Sequence, residues 1–158
     1  MAAFPPFQTP GDRAAALAFF GERDAAHGLF HHLVSRLAER TGPFDLAATK
    51  SRVSCVARTR FLWVHEAHAD GSIWIGFLLP HALDSKRLRS GRLPGGRWSH
   101  HARLDSEADV DGELLGWLEE AYAADAAGIE DKPVKVAKAK PRPKAAGSRT
   151  SAKAKGRR

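Results

Sequence analysis

Cysteine is almost missing from this sequence: Cys55 is the only one in 158 residues. A single thiol rules out an intrachain disulfide and excludes a zinc site built from cysteines. It sits in the apolar run Val53-Ser54-Cys55-Val56-Ala57, where core filling is expected rather than a reactive thiol. Long hydrophobic runs are missing too. The longest nearly apolar stretch, Ile73 to Pro80, is eight residues, against the roughly 20 that a bilayer-crossing helix needs. The short run Ala14 to Phe20 lacks a basic segment at Met1 and leads into Gly21-Glu22-Arg23-Asp24 without a small-residue cleavage pattern. No secretory signal is expected from it. With neither export signal nor cystine pairs, the expected compartment is the cytoplasm, and no membrane partner is expected.

Catalytic signatures are also lacking. Gly-x-Ser-x-Gly and a Walker phosphate loop are both absent. Leu93-Pro94-Gly95-Gly96-Arg97 has neither the following lysine-serine nor a helix start, and reads as a turn. His65-Glu66-Ala67-His68 is not the metalloprotease motif, which needs histidines four apart on one helical face. Here they are three apart in a predicted strand and turn, so their side chains point to opposite faces. The adjacent pairs His31-His32 and His100-His101 cannot chelate together from a regular element. A long-range set of His32, His65 and His100 is the one metal arrangement left, and surface or hydrogen-bonded histidines are the plainer reading. Of the carboxylates, Asp105, Glu107, Asp109 and Asp111 suit a helix N-terminus, and Glu119-Glu120 reads as a solvated face. No catalytic residue, metal or cofactor is expected. The chain reads as a binding module rather than an enzyme.

What is abundant is positive charge, and it is unevenly placed. The net charge is +7, but residues 131–158 hold 11 Lys+Arg against one acid, whereas residues 1–130 hold 14 against 17. The tail is therefore +10 and the rest −3. Its cations are Lys132, Lys135, Lys138, Lys140, Arg142, Lys144, Arg149, Lys153, Lys155, Arg157 and Arg158. They are spaced mostly by Ala, Pro, Gly and Ser, with valine the only large apolar residue. Such a segment cannot bury enough apolar surface to offset its ordering entropy, so 129–158 is expected to be disordered.

The remainder divides into an arm over 1–11 and an α+β domain over 12–128. Phe4-Pro5-Pro6-Phe7 and Pro10-Gly11 cannot form a regular element and read as a flexible arm. Asp12 is the expected N-cap of a helix over 13–20 that Gly21 ends. A second helix is expected over 24–40, capped by Asp24, with Leu29, Phe30, Leu33, Val34 and Leu37 as its apolar stripe. The period then falls to two, predicting strands from Phe44 to Thr49, Arg52 to Arg58, Phe61 to Ala67 and Ser72 to Leu79. Their short connections, Thr59-Arg60 and Asp70-Gly71, force antiparallel pairing. Ile73 to Leu79 is apolar on both faces and is expected to be central and covered on both sides. Residues 81–97 read as a basic loop. A strand over 98–104 sets Trp98, His100, Ala102 and Leu104 against Ser99, His101 and Arg103. A last helix over 110–125, capped by Asp109 or Ser106, carries Val110, Leu114, Trp117, Leu118 and Ala121. An antiparallel sheet of about five strands, packed with N-terminal and C-terminal helices, buries all these stripes.

Five segments together resemble a known family. They are Phe44 to Ala57 with Ala48-Thr49-Lys50-Ser51, then Phe61-Leu62-Trp63-Val64, and His100-His101. Asp109-Val110-Asp111-Gly112-Glu113-Leu114 and Trp117-Leu118-Glu119-Glu120-Ala121-Tyr122 complete the set. This combination resembles the bacterial family called domain of unknown function 5655, over about residues 19–126. The resemblance implies an α+β domain and lends no activity. Lys50 is either functional or an exposed strand end. The tail resembles the lysine/alanine/proline tails of bacterial nucleoid proteins and linker histones.

Two groups of cations are candidate binding residues. The tail is a polycation of the kind that binds DNA or RNA weakly and without sequence preference, through counterion release. A solubility or ribosome-adhering appendage is the competing reading. In the domain, Lys50, Arg52, Arg58 and Arg60 form a patch with Lys86, Arg87, Arg89 and Arg92 if the second hairpin and the 81–97 loop share an edge. Beside Trp63, Trp74 or Trp98, such a patch suits single-stranded nucleic acid or a phosphorylated ligand. The plainer alternative is that these side chains solvate hairpin ends and blunt strand edges. A small acidic ligand or a protein partner, with an incidental tail, is the second functional expectation.

Overall fold

The structure, a computed structural model, describes residues 4–128. The tail cations and the disorder expected of 129–158 lie outside the described residues. Two helices, α1 (Pro10–Phe20) and α2 (Asp24–Ala38), precede the strands β1 (Asp45–Thr49), β2 (Arg52–Val56), β3 (Arg60–Ala67) and β4 (Ile73–Leu79). Strands β5 (Leu88–Arg92) and β6 (Trp98–Leu104), a 3₁₀ turn (Glu107–Asp109) and helix α3 (Gly112–Ala127) complete the fold. The class is α+β. The sheet runs β1-β2-β3-β4-β6-β5, antiparallel at each pairing. No helix among the described residues is long and apolar enough to cross a membrane.

Alternation decides which face is covered. Leu46, Val53, Cys55, Leu62, Val64, Ile75, Phe77, Ala102 and Leu104 join Phe20, Leu33, Leu37, Leu114 and Leu118 in one contiguous core. Burial of this kind contributes about 25 cal/mol for each Å² of apolar surface removed from water. Cys55 is core filling, as its run implied, and burial pushes its thiol well above the ordinary range.

The helices differ from expectation at their starts. Helix α1 begins at Pro10, not at residue 13, because proline's fixed φ suits the first helical position and Thr9 is the cap. The Thr9 hydroxyl accepts from the Asp12 N–H at 3.0 Å. That leaves the Asp12 carboxylate free to accept from the Ala48 N–H at 3.0 Å, pinning α1 to the edge of β1. The same edge is covered by part of the segment read as an arm. Leu46 N–H donates to the Pro6 carbonyl, and Gln8 N–H to the Leu46 carbonyl, both at 2.8 Å. Asp24 is the first helical residue of α2 rather than its cap, and the helix stops at Ala38. Asp111 caps α3 through the Leu114 N–H. Ser106 and Asp109 instead form a reciprocal capping box around the 3₁₀ turn.

A sixth strand lies inside what reads as a loop. Leu88-Arg89-Ser90-Gly91-Arg92 pairs with β6 as β5. Such a polar run with an internal glycine carries little strand signal, and an edge strand needs only one partner. The turn back to β6 uses Gly95 and Gly96, at φ 100° and 90°.

Asp125, near the end of α3, is buried and fastens the helix to the β2–β3 turn. Its carboxylate accepts from the Arg58 N–H at 2.9 Å, the Thr59 N–H at 2.9 Å and the Thr59 hydroxyl. Hydrogen bonds to an ionised acceptor are worth about 1.5–3 kcal/mol each, less where water can replace the acceptor. Asp125→Ala is therefore expected to destabilise the domain by about 2–3 kcal/mol in chemical denaturation. A change below about 0.5 kcal/mol would show that water serves the turn equally well.

Candidate ligand-binding face

The second face of the sheet has no helix on it among the described residues. The register places Ala47, Ser54, Trp63, Gly76, His101 and Arg89 in one row across all six strands. Thr49 and Arg52 lie in the next row, with Trp74 and Arg103 opposite each other further along. β4 is central, as its composition implied, but its expected cover on both sides is not made by two layers. On the open face Trp74 and Leu78 stay half-buried, and the covering group is a side chain of the neighbouring strand.

That group is Trp63, which is only 8% exposed yet lies outside the core cluster. Its indole lies across Gly76. A Cβ at Gly76 would come within 2.5 Å of Trp63 Cε2 and Cζ2, so the ring takes the space that any other residue would need. Arg60 lies over the Trp63 ring at 4.9 Å, and Arg89 over Trp74 at 5.0 Å. His101 meets Trp63 edge-on, and its Nδ1 lies 3.4 Å from His65 Nε2.

The electrostatics of this face are those of uncompensated cations. Among the described residues no carboxylate forms an ion pair with Arg52, Arg60, Arg89 or Arg97. Burial, followed by the charges of Arg52 and Arg97, pulls the Arg60 guanidinium below its ordinary pKa. Burial also lowers His65, with Arg52 acting against the opposing pull of Glu66. His101 is lowered by burial and then by the other two histidines near it, His65 and His100. Both imidazoles are therefore neutral at neutral pH, and one of the pair can donate to the other. Asp45 and Glu66 are acids on this side, Asp12 lies beside Arg52 and Arg60 at the β1 edge, and Arg103 is neutralised by Asp70 and Asp105.

The eight candidate residues do not form one patch. β2 and β5 are separated by β3, β4 and β6, so the hairpin and the 81–97 segment do not share an edge. Arg52, Arg60 and Arg89 share the open face, joined by Arg97. Lys50 is exposed at the β1–β2 hairpin tip, and Lys86 is exposed before β5. The Arg58 guanidinium packs against Gly128 at the end of α3. Arg92 pairs with Trp98, whose alternation puts both on the helix-covered side. Arg87 is committed elsewhere: it bonds Asp111 and Glu113 at 2.9–3.1 Å and the Asp109 carbonyl at 2.9 Å, and lies over Trp117. The sequence signal for the real grouping was the alternation within β6, which puts Ser99, His101 and Arg103 on a side of their own.

The histidines separate. His65 is on the open face, whereas His100 is buried on the covered one. The Nε2 of His100 donates to the His81 carbonyl at 3.1 Å, leaving Nδ1 to accept from the Ser90 hydroxyl at 2.6 Å. His32 lies by Glu107. Among the described residues, no three His, Cys, Asp or Glu side chains are grouped to hold a metal ion.

An antiparallel sheet with helices on one face and arginines on the other defines an α+β domain with one open sheet face. The chain belongs to the family described as Domain of unknown function (DUF5655), whose model matches residues 18–124. No curated protein and no solved structure matches it.

Gly76→Ala is expected to cost about 1–3 kcal/mol, because the indole must leave its low-energy position. In a double-mutant cycle with Trp63→Ala that cost should largely vanish. Additive losses would show that Trp63 is not what Gly76 accommodates.

Proposed function

We propose that this chain is a non-enzymatic nucleic-acid-binding module of the cytoplasm. In it, residues 131–158 supply weak, sequence-independent affinity for DNA or RNA, and the α+β domain supplies a second recognition function. The observation that carries this reading is the charge split, +10 in the last 28 residues against −3 in the rest. Closely spaced cations release condensed counterions from a phosphate backbone, which gives affinity without sequence reading. Membrane surfaces fit less well, since the segment has no aromatic residue to insert.

A second reading is favoured by one feature of the domain. A shallow groove of about 400 Å³ is lined by Arg52, Arg60, Ser54, Thr49 and Ser51, and could take a small acidic ligand. A protein partner with an acidic surface would use the same arginines. Asp12 also lines the groove and opposes an anion there, which places this reading second.

Fluorescence anisotropy of labelled DNA and RNA over a salt series separates the two. Deleting 131–158 removes none of the described residues and should weaken binding at least about tenfold. The full chain should show a log–log salt slope of about −0.9 per phosphate neutralised on a duplex and about −0.7 on a single strand. Unchanged affinity after deletion would refute the electrostatic anchor. Arg52→Ser with Arg60→Ser should matter for acidic small molecules only if the second reading holds.

A further inference from the structure

We propose that the open face of the sheet is a binding surface for single-stranded nucleic acid, resting on the nucleic-acid reading above. The half-buried Trp74, with Arg89 over it, supplies a stacking plane, while Arg52, Arg60 and Arg97 hold the phosphates.

Three observations converge on that ligand. The first is charge complementarity. Arg52, Arg60, Arg89 and Arg97 have no carboxylate partner among the described residues, although the domain carries more acids than bases. Cations left unneutralised on a surface where acids are otherwise in excess are placed to meet an external anion. The second is the pairing of guanidinium with indole, at 4.9 Å for Arg60 on Trp63 and 5.0 Å for Arg89 on Trp74. A planar base can extend such a stack, because every base has a π face, whereas a carboxylate side chain cannot. The third is shape. The row from Ser54 to Arg89 crosses five strands without a helix over it, about 19 Å at the usual spacing. An extended strand can lie along such a row with its bases turned inward. A duplex keeps its bases stacked on one another and offers only phosphates.

Neutral His65 and His101 suit this surface. Their linked ring nitrogens leave one nitrogen on each ring for a base edge or ribose hydroxyl, and no added charge fixes the sequence read. Specificity would then be loose, set by stacking rather than by base-edge hydrogen bonds.

The test uses the full chain and three variants: Trp74→Ala, the triple change Arg52→Ser, Arg60→Ser and Arg89→Ser, and a tail form with its eleven cations replaced by Gln. Anisotropy is read at one salt concentration on labelled oligothymidylate, oligouridylate and a duplex of equal length, with unlabelled polyglutamate as competitor. The wild-type chain should bind the single strands about tenfold more tightly than the duplex, an advantage of the size one stacked base provides. Trp74→Ala should lose that preference and keep its duplex affinity, whereas the arginine variant should lose the preference by weakening single-strand binding more than duplex binding. The tail variant should lose affinity for all three alike and keep the preference. The arginine variant changes only surface cations, so it serves if Trp74→Ala unfolds the domain.

Equal wild-type affinity for single strand and duplex would overturn the proposal. So would a preference that survives in the arginine variant, or polyglutamate competing as well as an oligonucleotide, which would mark an acidic-protein surface. If the tail variant binds as well as wild type, the tail anchor fails while the face stands. If nothing binds, both fail.

Discussion

Strand β4 has apolar side chains on both faces, and the helices cover only one of them. Ile73, Ile75, Phe77 and Leu79 are sealed beneath the helices. On the other side Trp74, Gly76 and Leu78 must be shielded by whatever the sheet itself can offer. The solution is aromatic and cationic rather than aliphatic. Trp63 lies across Gly76, and the guanidinium groups of Arg60 and Arg89 lie over the indoles of Trp63 and Trp74. A sheet face covered this way hides part of its apolar surface without a second helical layer, and it leaves rings and guanidinium groups together.

The domain's charge is separated across its thickness. Its net charge is mildly acidic, yet many of the acids sit along α3 and are already engaged there. Arg87 binds Asp111 and Glu113, Arg40 meets Glu119, His81 meets Glu120, and Asp125 holds the β2–β3 turn. The open face keeps its arginines without such partners. On the proposed reading, a tail of +10 and a cationic face would act on the same polyanion, and the acidic helix side would not. Two weak contacts on one chain gain from effective concentration, provided both reach the ligand at once.

Much of the core was legible in residue order. The stripe Leu29, Leu33 and Leu37, the alternation through β6 and the two-faced apolarity of β4 each declare an element and its buried side. Boundaries were less so, because capping is a competition among neighbours. Thr9 and Asp12 can both cap α1, and the contest goes to Thr9 because the Asp12 carboxylate is engaged by Ala48, 36 residues away. Strand β5 was illegible for a related reason: its polar residues become a strand only because β6 offers an unpaired edge. Asp125 gave no signal, since a lone carboxylate in a helix looks solvated until the turn it binds is placed above it.

By itself the sequence determined the helical and most of the strand segments, the buried character of Cys55 and the division of charge between 1–130 and 131–158. These are properties of local period and composition, which need no distant partner. Tertiary structure alone decided which cations lie on one face. Strand order is set by long-range pairing, and it separated β2 from β5 by three strands while setting Arg52, Arg60, Arg89 and Arg97 on one face. It also turned Arg87 away to α3 and brought Trp63 over Gly76. A side chain's partners depend on which strands pair, and that choice is made by burying the whole core at once.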